Sequence, residues 1–151
     1  MTTYTRAYAE VILVNRCGAL LTFVSKDGTT VDGSNTDLND ALGAAIRRLG
    51  GTVTDPTSVV DADIQTVDSD YFDALVDVAE LRLYYSIRGN LTAVDTTAGP
   101  FSDKFSDIGD YLDAQIKALT DRIESEHGLG GPEAQAGYIV RSIASHDEDP
   151  L

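Results

Sequence analysis

The sequence predicts a mainly α-helical protein: a bundle of about four helices joined by long loops and followed by an extended C-terminal tail. Three observations carry that expectation. Phe101, Phe105, Ile108, Leu112, Ile116, Leu119 and Ile123 recur at steps of three and four. At about 100° per residue they lie within roughly 40° of one line along a helix. Phe72, Leu75, Val76, Ala79, Leu83 and Ile87 form a second such stripe, and the final stretch "GLGGPEAQAGYIVRSIASHDEDPL" opens with glycines and a proline that break it from the body.

The first segment, about residues 5–25, reads two ways. Tyr4, Ala7, Tyr8, Val11 and Ile12 have helical spacing, which favours a helix. The runs "VILV" and "LLTFV" around Cys17-Gly18 are rich in β-formers, and a two-strand hairpin is the alternative. The next element, "TDLNDALGAAIRRLGG", is a helix that Asn35 or Thr36 caps. Leu38, Leu42, Ala45, Ile46 and Leu49 share one face, and Gly50-Gly51 close it.

Residues 52–67 show no clear periodicity, apart from Asp55-Pro56, which suits the start of one helical turn. A loop of that length is either functional or mobile, or simply exposed. The third helix, from about Ser69, has Val78, Leu81 and Tyr85 on a second apolar side, so it belongs at the centre. Its acids Asp70, Asp73, Asp77 and Glu80 precede Arg82 and Arg88, which complements the helix dipole, and Gly89-Asn90 are expected to end it. The fourth helix spans about 37 Å. Ser102 is its expected N-cap, Asp103 suits its positive end, and Gly128 stops it after His127. Asp103, Asp107, Asp110, Lys117, Asp121 and Glu124 lie opposite its apolar stripe. The chain thus divides into a helical domain, 1–127, and a tail, 128–151.

Composition narrows the function. The net charge is −14. That opposes binding to a phosphate backbone, which needs Lys and Arg, and leaves room for a surface that DNA passes without sticking. No apolar run approaches the roughly 20 residues of a membrane span. A glutamate, Glu10, stands where a signal peptide has its apolar segment, so a non-secreted protein that makes no membrane contact is expected. Cys17 is the single cysteine, sits among apolar neighbours, and reads as a small buried hydrophobe.

No enzyme signature is present, and no cofactor is expected. His127 and His146 stand beside no ligand set with metal spacing, so zinc is not expected. "DADIQTVDSDYF" fails as a calcium loop because Thr66 holds the glycine position and Phe72 the position of the bidentate glutamate. Asp107 and Asp110 are neighbours on one helix face, but that face is the solvated one, which disfavours acid–base work.

Within the tail, Tyr138, Ile139, Val140, Arg141, Ser142 and Ile143 make an apolar island with weak alternation. About six residues cannot form a sheet alone. A strand added to another protein would satisfy them, the backbone giving affinity and alternate side chains specificity. The other solution is a tail folded back over its own helices.

Taken together, "TDLNDALGAAIRRLGG", the long loop behind it, and the helices "DYFDALVDVAELRLYYSIRGNL" and "FSDKFSDIGDYLDAQIKALTDRIESEHG" resemble the head-to-tail adaptor, or connector, proteins of tailed bacteriophages. The likeness covers about residues 3–127 plus the tail. It implies a virion protein, made in the host cytoplasm, that assembles into a ring at the head–tail junction, usually of about twelve subunits. The ring sits beneath the portal and extends the DNA channel towards the tail or stopper protein. It implies portal docking by Tyr138, Ile139, Val140, Arg141 and Ile143, and a loop at 52–67 that faces the channel or the next ring. Asp103, Asp107, Asp110 and Asp121 would then line the DNA channel as an acidic wall. The competing reading is an acidic binding module, such as a DNA mimic, which would leave the tail island without a purpose.

Overall fold

The computed structural model describes residues 3–98 and 102–129, and for 92–98 and 102–105 the backbone alone. Among the described residues five α-helices follow one another: α1 (Arg6–Phe23), α2 (Asn39–Arg48), α3 (Asp61–Ile64), α4 (Phe72–Ala98) and α5 (Ser102–His127). Short 3-10 turns at Thr36–Leu38 and Ser69–Tyr71 lead into α2 and α4. No strand occurs among the described residues. The expected helical bundle is what the chain forms, with α3 as an extra single turn.

Residues 6–23 are a helix and not a hairpin. Ala9, Leu13, Cys17 and Leu21 are buried while Val11, Asn15 and Ala19 between them are exposed, a pattern that a helix produces and that a strand, whose alternate residues share one face, does not. That burial overrides the β-propensity of Val11, Ile12 and Val14. The Thr5 hydroxyl accepts the Tyr8 amide at 3.2 Å and caps the start. At the end, Ser25 takes the left-handed conformation, φ 63°, while Lys26 N–H reaches back to the Leu21 carbonyl at 2.8 Å.

Leu38, Leu42, Ala45 and Ile46 of the second element are buried as their spacing predicts. Gly50, at φ 84°, ends α2, and the Gly51 amide bonds to the Ile46 carbonyl at 2.9 Å.

Residues 52–67 are pinned rather than loose. Val59, Ile64 and Val67 enter the core. The helical turn expected at Asp55-Pro56 lies instead at 61–64. Asp55 and Ser58 close a β-turn, with the Ser58 amide 3.0 Å from the Asp55 carbonyl, and Pro56 sits where a preset φ is favoured. The buried Asp63 carboxylate ties the segment together: Oδ2 accepts from the Val60 amide at 3.0 Å and Oδ1 from the Thr54 amide at 3.1 Å.

Helix α4 is central, as its two apolar sides require. Leu75, Val76, Val78, Ala79, Leu81, Leu83, Tyr84 and Ile87 are all buried, and the helix packs against α1, α2 and α5. It does not stop at Gly89-Asn90 but runs on to Ala98. Glycine costs a helix only about 1 kcal/mol relative to alanine, and fully buried Ile87 and Leu91 on either side hold the backbone in register. Tyr4 lies flat on Phe72, ring centroids 3.9 Å apart, so the chain ahead of α1 is fixed to the start of α4.

Helix α5 buries Leu112, Leu119 and Ile123, with Ile108 and Ile116 partly covered. Ser102, expected as its cap, is its first residue. Gly128 ends it at φ 67°, donating to the Glu124 carbonyl at 3.2 Å.

Candidate functional site

Two charged features stand out, one exposed and one buried. The exposed one is the outer face of α5. Asp107, Asp110 and Asp121 all face solvent there and make no ion pair among the described residues, so the solvated face expected for them is the one observed. Asp113, Glu124 and Glu126 on the same helix are exposed as well, as is Lys117, and Asp113 accepts from Arg88 of α4 at 3.1 Å. Asp103 lies in the first turn of α5; its side chain falls outside the described residues. Tyr138, Ile139, Val140, Arg141 and Ile143 lie outside them too.

The buried feature joins α1, α4 and α5. Asp77 and Glu80, one turn apart on α4, are almost fully buried. The Asp77 Oδ1 atom accepts from Arg16 of α1 at 3.0 Å and from Arg122 of α5 at 2.8 Å. Its other oxygen, Oδ2, lies 2.8 Å from His127 Nε2. Glu80 accepts from Arg16 at 2.7 Å through Oε2 and from the Tyr84 hydroxyl at 2.8 Å through Oε1. Burial alone would raise the Asp77 carboxyl, but the bonds from His127, Arg16 and Arg122 outweigh it and hold it below the usual carboxylate range. Burial also lowers Arg16, and its bonds to Glu80 and Asp77 more than reverse that. Tyr84 is raised, first by burial and then by the nearby Cys17 and Glu80 groups.

The ligand atoms of Asp77, Glu126 and His127 lie within 4.8 Å of one another, a grouping able to hold a metal ion. Sequence reasoning gave His127 no ligand set, because its partner stands fifty residues earlier in the chain. It took Asp77 and Glu80 only as complements to the helix dipole. The signal available was their place: acids among Val76, Val78, Ala79 and Leu81, on a helix apolar on two sides.

Comparison with protein-family models, with curated proteins and with solved structures finds no match. The class that the chain defines by its own structure is therefore a helical bundle with an acidic outer helix. No helix among the described residues is long and apolar enough to cross a membrane.

Proposed function

We propose that the chain is a head-to-tail adaptor of a tailed bacteriophage. In this reading it forms a ring under the portal protein and extends the DNA channel towards the tail or stopper protein. The observation that carries it is the row Asp107, Asp110 and Asp121, solvent-facing on the outer helix and without an ion pair among the described residues. Repeated around a ring of about twelve copies, that row presents carboxylates to passing DNA. Each Lys or Arg on such a wall would add counterion-release affinity, and carboxylates add none. The resemblance of the helical body to connector proteins supports the same reading. The tail residues Tyr138, Ile139, Val140, Arg141 and Ile143 then serve as the portal-docking strand.

Charge reversal tests the wall. Replacing Asp107, Asp110 and Asp121 together by lysine in assembled particles should slow DNA ejection and leave the ring intact. Ejection at the unaltered rate would remove these residues from the channel.

A further inference from the structure

We propose that Asp77, Glu126 and His127 form a binding site for a divalent transition metal of the zinc class. One imidazole nitrogen and two carboxylates, without a thiolate, form a donor set suited to Zn²⁺ and, more weakly, Mn²⁺.

The geometry needs little adjustment. The Asp77 Oδ2 and His127 Nε2 atoms are 2.8 Å apart. Ligands held at about 2.0–2.2 Å in a tetrahedral shell stand roughly 3.3–3.5 Å from each other, so the pair must part by about half an ångström. Asp77 is already oriented for the task. Its Oδ1 is taken by Arg16 and Arg122, which fixes the carboxylate plane and turns Oδ2 towards His127. Partners of this kind behind a ligand are what hold metal-binding carboxylates in place. Glu126 stands four residues after Arg122 but makes no hydrogen bond or ion pair among the described residues, which leaves it free to turn inward.

Charge also favours a cation. Asp77, Glu80 and Glu126 carry three negative charges against the two of Arg16 and Arg122, a balance of −1 with His127 neutral. Asp73, on the same cleft, makes it −2. Helix α5 ends at His127, and its last carbonyls add the negative end of the helix dipole. The cleft, about 420 Å³, is open to solvent, which leaves room for water in the remaining coordination position. An ion here would tie the last turn of α5 to the second turn of α4, one residue before the turn at Gly128.

Titration of the full chain with zinc chloride, followed by calorimetry, tests the site. Manganese chloride forms a second arm, and magnesium chloride is the control for an ion that prefers oxygen ligands. His127→Ala, Glu126→Gln and His146→Ala are measured alongside, the last because His146 also lies beside acids, at Asp147 to Asp149. Wild type and His146→Ala should bind one zinc ion each. Glu126→Gln and His127→Ala should weaken binding by roughly tenfold or more while far-ultraviolet circular dichroism stays helical. If His127→Ala fails to fold, the exposed Glu126→Gln carries the comparison. The proposal is overturned if the wild type shows no saturable zinc binding, if Glu126→Gln or a folded His127→Ala binds as tightly as the wild type, or if His146→Ala abolishes the binding.

Discussion

The Arg6 guanidinium donates to the Glu10 carboxylate, Nε to Oε1 at 2.9 Å, and both side chains are buried. The pair is the knot of a larger network. Arg6 also donates to Asn39 Oδ1 at 2.6 Å, to the Asn35 carbonyl at 2.6 Å and to the Val59 carbonyl. Glu10 accepts from the amides of Gly33 at 2.6 Å and Asn35 at 3.0 Å. Helix α1 thereby holds the loops before α2 and before α3.

Breaking that pair from one side leaves a buried charge uncompensated, which costs about 3–5 kcal/mol. Arg6→Ala and Glu10→Ala should each destabilise the chain by that order in urea unfolding. Arg6→Ala combined with Glu10→Ala should cost less than the two single changes added together. Strict additivity would show that the two charges are not coupled.

Asp63 gives stability a pH dependence. Burial would raise its carboxyl, but bonds from the Val60 and Thr54 amides and the Thr54 hydroxyl hold it below its ordinary value. A folded-state value below the unfolded one contributes stability above the unfolded value, about pH 4. That contribution is lost as pH falls through the lower, folded value. Asp63→Asn should lower stability at pH 7 by about 1–3 kcal/mol and flatten the decline below pH 4. Equal slopes for the two proteins in acid titrations of unfolding would contradict this.

Much of the architecture was legible because burial obeys a period. The stripe from Phe72 to Ile87, the part of the last helix's stripe from Ile108 to Ile123, the face of α2 and the glycine stops at Gly50 and Gly128 sit where the sequence puts them, while Phe101 and the Phe105 side chain lie outside the described residues. Helix α1 stayed ambiguous because Val11, Ile12 and Val14 suit a strand and only tertiary packing decides. The course of residues 52–67 was hidden for another reason. Arg6 and Asn39 hold it from outside, through contacts 53 and 18 residues apart in sequence, and Asp63 ties it from within through Thr54 and Val60, none of which leaves a periodic pattern. The cluster at Asp77 and His127 escaped notice in the same way, while the exposure of Asp107, Asp110 and Asp121 followed directly from their place opposite the apolar stripe.

Gly18 and Gly28 let α1 meet the loop that follows it. A Cβ on either would overlap the carbonyl oxygen of the other, and both are backbone contacts that cannot swing aside. Gly18→Ala should therefore destabilise by about 1–3 kcal/mol, despite alanine's better helix propensity. A gain in thermal midpoint would show that the two segments part easily.

Cys17 should be inert in the folded protein. It is fully buried, and burial together with the Glu80 charge pushes its thiol up to about 12. The thiolate that reacts with disulfide reagents is then scarce near neutral pH. Reaction with a chromogenic disulfide should be slow in buffer and fast in denaturant. A fast reaction in buffer would mean that α1 opens readily.

The most direct measurement of the adaptor reading is the mass of the assembly formed with a cognate portal protein. It compares the full chain with a version ending at Leu129, which keeps every described helix. The full chain should add to the portal ring in a fixed multiple, and the shortened chain, still helical, should not. Equal binding by both would remove the tail from portal docking, and no binding by the full chain would contradict the adaptor reading itself.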